Sequence, residues 1–331
     1  MVTDTAQLVL PDYGLGAAGL GNLYTAIPDE TAREALEAAS RAGFNYIDTA
    51  PFYGHGLSEQ RVGAFLSASG ERPILSTKVG RRLIPADGRP IPDNGFASPA
   101  PFIPEFDYSE AGIRMSFEGS CNRLGVANVD ILLLHDIGRM THADSHATVL
   151  EQAFDEALPT MDAMKSEGLT KWIGLGVNEI DVCEEVLARV RLDVLLLAGR
   201  YTLLEHEAST LFLNACERMG VKIILGGAFN SGLLVASGGE PLRYNYAEAP
   251  DWAVAKVRKL RDVCARYDVE LPALALQFCQ AHPAVAAVVP GARTASQVEQ
   301  VHDWTRAKID PEVWTVLKDK ALISADAVVP S

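Results

Sequence analysis

Short apolar runs alternate along the chain with longer stretches in which apolar residues recur every three or four positions. The runs at 13–16, 44–48, 74–78, 129–134, 172–175, 194–197, 221–225 and 285–289 predict eight strands. Stretches at 30–42, 58–67, 110–124, 151–166, 182–190, 208–219, 252–267, 272–281 and 295–304 predict amphipathic helices. Several strands are apolar at consecutive positions, as strands covered on both faces of a parallel sheet must be. The segments RAGFNYID, RLGVANVDILLLH, SEGLTKWIGL and RMGVKIIL each set a helix-ending glycine a few residues before the next strand. About eight such βα units in one chain predict an α/β protein, a single-domain (β/α)8 TIM barrel over residues 1–331. A doubly wound sheet fits the same alternation. Two connections exceed the repeat, 81–107 and 230–250. Both follow strand ends, where barrels place their chemistry, and read as walls or lids of a site. Phe96, Phe102 and Phe106 argue that the first of these is ordered.

The chain has 331 residues, 48% hydrophobic, enough to bury a large core. No apolar run is long enough to span a bilayer, and positions 1–11 lack the pattern of a signal peptide, so a soluble cytoplasmic protein is expected, a monomer or small homo-oligomer. Five cysteines without close spacing argue against a disulfide framework and against zinc. A formal net charge of −14 disfavours nucleic acid and anionic membranes as partners and leaves a small molecule as the expected ligand.

Ionisable residues close three of the apolar runs. Asp48 ends FNYID, Lys78 ends ILSTK, and His135 follows ILLL. At the C-terminal ends of barrel strands these side chains would share one mouth, where a lone buried charge costs several kcal/mol and must pair or meet a ligand. Tyr53 lies in the loop beyond Asp48. A lysine beside a tyrosine lowers the phenol's pKa, with the aspartate holding the lysine charged, and such a phenol is a general acid or base. Structural pairing of Asp48 with Lys78, and a satisfied core histidine at His135, are the blander accounts of the same residues.

Near the start, GLGAAG (14–19) spells G-x-G-x-x-G. The dinucleotide fingerprint needs a strand before it and a helix opening at its last glycine. Pro11 and the following Leu20-Gly21-Asn22 deny both, so the stretch reads as a glycine-rich turn.

Taken together, DTAPFYGHGLSEQRVG (48–63), STK (76–78), LLLHD (132–136), IGLGVNE (173–179) and VVPGARTASQV (288–298) resemble the aldo-keto reductase family, from about Gly14 to near the C-terminus. KVGR, FDYS, LLAGRYTLLE and FNSGLL are similar to its aldose 1-dehydrogenase branch, acting on L-fucose, D-arabinose or galactose-type sugars, with pyridoxal-oxidising enzymes as similar relatives. The resemblance implies catalytic roles for Asp48, Tyr53, Lys78 and His135: Tyr53 takes the C1 hydroxyl proton of an aldose, hydride leaves C1 for a nicotinamide, and a lactone forms. It implies NAD, with NADP the alternative, laid across the barrel mouth. Gly21 in the mouth loop, Asn178, Arg200, Gly226, Gly227, Phe229, Asn230, Ser231, Gly232 and Leu233 would hold one part, and Pro290, Gly291, Ala292, Arg293, Gln297 and Gln300 the adenosine end. Gln297 stands where NADP-dependent relatives often carry arginine, which favours NAD, with Arg293 nearby as a phosphate-binding alternative. Val177, Ala198 and Gly226 depart from the residues many members place around the nicotinamide. Tyr24, Phe52 and Asp136 are expected substrate walls.

No metal is expected. His142, Asp144 and His146 in THADSH read as a polar loop rather than a ligand set. G-x-S-x-G and Y-x-x-x-K motifs of other enzyme classes are absent from the sequence. His55 caps a turn or meets substrate. A pyridoxal or NADPH-dependent carbonyl enzyme on the same fold, and a non-catalytic barrel, remain as the other readings.

Overall fold

The computed structural model describes residues 8–236, 242–245 and 247–330. Eight strands form one parallel ring: β1 (Leu15–Gly16), β2 (Tyr46–Asp48), β3 (Ile74–Val79), β4 (Val129–His135), β5 (Thr170–Val177), β6 (Val194–Ala198), β7 (Lys222–Gly226) and β8 (Val285–Val289). Each pairs with its chain neighbour. The ring shuts through parallel bridges Tyr13↔Val288 and Gly16↔Gly291. There the Gly14 amide donates to the Val288 carbonyl (2.9 Å) and the Gly16 amide to the Pro290 carbonyl (3.0 Å). This is the expected (β/α)8 barrel.

Alternate positions of each strand go to different cores, because successive side chains leave a strand on opposite faces. Tyr46, Ile131, Leu133, Val194, Leu196, Ile224, Ala287 and Val289 fill the interior of the ring. Their neighbours Ile47, Leu132, Leu134, Leu195, Leu197, Ile223 and Leu225 pack outward against the helices. Both faces are dry, which explains the consecutively apolar runs. Among the surrounding helices are Asp29–Arg41, Leu57–Ser69, Glu110–Leu124, Glu207–Met219 and Asp251–Tyr267. No helix among the described residues is long and apolar enough to cross a membrane.

Three elements differ from the sequence expectation. The helix expected over 151–166 begins at His146 and passes through one π-helical turn, Ala153–Ala157, before Leu158–Ser166. THADSH is accordingly not a polar loop: Arg139–His142 and Ala143–Ser145 are short helical turns, and His146 is buried with its Nδ1 3.0 Å from the Ile137 carbonyl. A helix at Pro311–Asp319, with an Asp310 side-chain cap on the Glu312 amide and proline at its first position, was not expected.

The 81–107 connection folds as an antiparallel hairpin, Arg81–Pro85 with Phe102–Phe106. A two-stranded ribbon tolerates Pro85 and Pro104 because each strand has an unpaired edge for the missing donor. Its tip is stitched to the loops after β1 and β2 by amide donation from Tyr24 to Gly95, Ala97 to Asn22 and Ala100 to Gly54. The 230–250 connection lies partly outside the described residues; within it Arg243–Tyr244 pairs with Ala247–Glu248.

Candidate active site

Strand parity carries the polar residues to one place. Asp48 stands two positions beyond Tyr46, His135 two beyond Leu133, and Lys78 two beyond Ser76, so all three point into the ring at its C-terminal end. Lys78 Nζ donates to both Asp48 oxygens (2.8 and 2.9 Å) and to the Thr49 carbonyl (2.9 Å). The Ser76 hydroxyl donates to Asp48 as well (2.7 Å) and lies 2.9 Å from the Tyr46 hydroxyl. Both members of the ion pair are nearly inaccessible, at 1% and 4% side-chain exposure. Gly176 gives the lysine stem its room: a Cβ there would lie 3.2 Å from Lys78 Cδ and Cε.

Tyr53 sits above this pair, half-buried, with Lys78 Nζ 4.7 Å from its ring centroid. The His135 ring stands perpendicular to it, 6.3 Å between centroids, and the Phe52 ring lies 6.2 Å from His135 on another side. The three residues named from strand ends and Tyr53 of the loop after β2 therefore converge. One electrostatic expectation is corrected. Burial pushes the Tyr53 phenol well above its ordinary range, reinforced by Asp48 and Asp136 and opposed by Arg81. Asp48 cancels the charge of Lys78 at close range, so the ammonium gives little net field with which to lower the phenol. Burial, with Arg81 and Lys78 adding to it, holds His135 well below the usual imidazole value, so that ring is neutral.

Asp136 is more than the wall residue expected. Its carboxylate pairs with Arg81 and lies 3.4 Å from His135 Nε2. Its backbone is left-handed (φ 49°), a conformation that aspartate tolerates better than most non-glycine residues. The Tyr108 hydroxyl donates toward the His135 and Asp136 carbonyls (2.9 and 3.0 Å), and His142 Nε2 lies 2.9 Å from the latter. Burial raises the Asp136 carboxyl above the usual value, with Arg81 opposing. Arg81 itself lies between Phe52 and Phe106, its guanidinium 3.9 and 4.5 Å from their centroids. Sequence reasoning gave no role to Arg81 or Tyr108; the signal was a charged residue just past the third strand, within KVGR.

These residues open into a cavity of about 940 Å³. Tyr24, Phe52, Tyr53, Lys78, His135, Asp136 and Asn178 line it, with Phe96 and Asn94 from the hairpin tip and Arg243 from the later connection. His55 faces the hairpin, its Nδ1 2.8 Å from the Phe102 carbonyl and its Nε2 3.2 Å from Asn94.

The remaining expected cofactor positions follow the ends of β6, β7 and β8, the other half of the mouth. Gly226 pairs with Ala198 on one side and Val289 on the other, three small or apolar positions at neighbouring strand ends. A Cβ on Gly226 would meet Leu196 and Ala198 only at 3.5 and 3.6 Å, so the bare glycine leaves usable space there. Gly227, Asn230, Ser231 and Gly232 have left-handed backbones. The Asn230 side-chain oxygen and Arg200 Nε are buried without a hydrogen-bond partner, as is His135 Nδ1. Arg200 otherwise binds Glu205 (3.5 Å) and Asn245. The Gln297 side chain accepts from the Arg293 amide (3.0 Å), and Thr294 caps the helix Ala295–Arg306 by accepting from the Gln297 amide. Orphaned polar groups beside glycine-lined space and a helix N-terminus fit a dinucleotide. Phe229 packs against Trp304, Leu233, Pro290 and Ala292 are buried, and Gln300 is exposed. Gly21 abuts the Tyr53–Gly54 backbone, so closely that a Cβ would come within 2.5 Å of it. Among the described residues no cluster of His, Cys, Asp and Glu is arranged to hold a metal ion.

Residues 13–321 match the Aldo/keto reductase family. The chain is similar to a pyridoxal 4-dehydrogenase of Microbacterium luteolum, 37% identical over 329 residues and 96% of each chain. It is similar also to a D-threo-aldose 1-dehydrogenase of a Pseudomonas species, 39% identical over 326 residues and again 96% of each. Among solved structures, the holo form of an aldo-keto reductase from Bacillus halodurans aligns with a TM-score of 0.75 at 25% identity, over 98% of this chain and 96% of that one. Matched over almost its whole length and folded like that solved relative, the chain belongs to the aldo/keto reductase family and is an NAD(P)-dependent oxidoreductase.

Proposed function

We propose that the protein oxidises the C1 hydroxyl of a cyclic aldose to the lactone, with Tyr53 as the proton-transferring group and NAD as the preferred cofactor. The observation that carries this reading is the convergence of Tyr53, His135 and the buried Asp48–Lys78 pair on one wall of a closed barrel's mouth. The bound nicotinamide would supply the two-electron acceptor for the hydride leaving C1. Asn178, Gly226 to Leu233 and Pro290 to Gln300, with Arg200 and Gly21 at the margins, are the residues proposed to hold the dinucleotide. Tyr53 accepts the hydroxyl proton at its phenolic oxygen, and neutral His135 orients the same substrate oxygen by a hydrogen bond. Lys78, fixed by Asp48, holds the Tyr53 ring from beneath. Gln297, with its amide oxygen engaged by the Arg293 backbone, offers no charge to a 2′-phosphate, which supports NAD over NADP.

Oxidation of pyridoxal is the second reading, supported by the 37% identical relative and by aromatic walls at Tyr24, Phe52 and Phe96. Absorbance of reduced nicotinamide with NAD or NADP against L-fucose, D-arabinose, L-galactose, D-galactose and pyridoxal tests both. Turnover of a sugar with NAD supports the first reading, turnover of pyridoxal alone replaces it, and silence with every pair overturns both.

A further inference from the structure

Asp136 is held by several independent restraints. A carboxylate lines the reacting cavity on a left-handed backbone, with its main chain pinned by Tyr108 and His142 and its side chain tied to a guanidinium clasped between two aromatic rings. A hairpin could be anchored to a barrel without any of this, through the apolar contacts it already makes. A carboxylate fixed by several independent restraints on the wall of that cavity points to a role there.

The position says which role. Asp136 Oδ2 lies 3.4 Å from the ring nitrogen of His135 that faces it. If His135 orients the reacting oxygen, as the proposed function has it, the carboxylate stands one hydrogen-bonding group further out, beside the carbon next to the reacting one. In a cyclic aldose two atoms flank C1 apart from its own hydroxyl. The ring oxygen carries no proton and cannot donate to a carboxylate, whereas the C2 hydroxyl can. Arg81, being paired with Asp136 and packed between Phe52 and Phe106, holds the acceptor in place and opposes the burial that would favour its protonation.

We propose that Asp136, positioned by Arg81, is the specificity residue that reads the hydroxyl on the carbon next to the reacting centre, so that the site selects α-hydroxylated sugars. This rests on the aldose reading above. A site built to accept that hydrogen bond penalises a substrate lacking it, because Asp136 Oδ1, the carboxylate oxygen that Arg81 does not engage, then goes without that partner in a largely buried place. A substrate anionic at the same position is repelled.

The test is a cycle between enzyme and substrate: kcat/KM for D-galactose and 2-deoxy-D-galactose, and for L-fucose and 2-deoxy-L-fucose, in the wild type, Asp136→Asn, Arg81→Lys and Arg81→Met. The wild type is expected to favour the hydroxylated member of a pair by at least about tenfold. Asp136→Asn should lower kcat/KM for the hydroxylated sugar by about 10–100-fold while changing the deoxy sugar by less than about threefold, so that the preference collapses. Arg81→Met should show the same collapse and Arg81→Lys should restore part of the preference, which a merely structural anchor would not do. Equal losses on both sugars in Asp136→Asn would overturn the proposal. So would a wild type that turns over deoxy and hydroxylated sugars equally, a measurement needing no variant to fold. A wild type inert toward every sugar sinks the aldose reading, and this inference with it; aldose turnover without the preference sinks this inference alone.

Discussion

Lys78 Nζ lies within 2.9 Å of both carboxylate oxygens of Asp48, and the pair is buried under the ring of Tyr53. Removing one partner of such a pair leaves an uncompensated charge in a dry interior, whereas removing both does not. Lys78→Met should therefore lose roughly 3–5 kcal/mol of stability, and Lys78→Met combined with Asp48→Asn should recover part of it. Both variants should be inactive. Urea unfolding checks the first statement and initial rates the second; a double variant less stable than the single would contradict the account.

Tyr53→Phe removes one oxygen and keeps the ring that Lys78 and His135 pack against. Turnover should fall by at least about 10²–10⁴-fold, with affinity for the reduced nicotinamide cofactor nearly unchanged. Fluorescence titration of the cofactor alongside steady-state rates separates the two effects, and near-normal turnover would remove Tyr53 from the mechanism.

Because burial holds the Tyr53 proton on well above the ordinary phenol value, the two directions of reaction should respond to pH differently. Oxidation needs the phenolate as base and should rise across the alkaline range. Reduction needs the phenol as acid and should stay flat there. Rates measured in both directions between pH 7 and pH 10 report this, and an oxidation rate independent of pH would show that another group accepts the proton.

His135 is held neutral in the folded protein, so on acidification the unfolded chain takes up a proton that the native site refuses. Its contribution to stability is thus complete above the ordinary imidazole value near 6.5 and is lost as pH falls below it, at up to about 1.4 kcal/mol per pH unit. Asp136, whose carboxyl is raised, has the opposite sign and acts lower, near the carboxylate range. Unfolding free energies at pH 7 and pH 5 should differ more in the wild type than in His135→Gln; an equal difference would show that other histidines carry the effect.

Gly21→Ala would drive a methyl group into the backbone at Tyr53 and Gly54. The expected result is a loss of about 1–3 kcal/mol and a fall in kcat larger than the change in KM, because the phenol is displaced rather than the substrate walls. Thermal unfolding and steady-state kinetics measure both.

The residues proposed as catalytic were legible because a barrel strand has two-residue periodicity and ends at the mouth. An ionisable group closing an apolar run, as Asp48, Lys78 and His135 do, has nowhere else to point. Arg81 escaped notice since it stands among prolines and glycines that mask strand alternation, and its partner Asp136 lies far along the chain. The hairpin itself was hidden by Pro85 and Pro104, which argue against central strands but are tolerated in a ribbon with two edges. The helix Pro311–Asp319 was missed, although Asp310 as cap and Pro311 as first residue signal it, because its apolar face is short. The phenol's raised pKa could not be read from residue order, because burial and the cancelling of Lys78 by Asp48 are three-dimensional facts.

The seam between β1 and β8 has a consequence for how the molecule is made. The two residues of β1, with Tyr13 before them, lean on Val288 and Gly291, which come last among the barrel strands. A nascent chain can lay down seven strands in order and still present two open edges, since the final partner has yet to leave the ribosome. Closure must therefore await the synthesis of β8, and the half of the mouth proposed for the dinucleotide is completed at the same late moment.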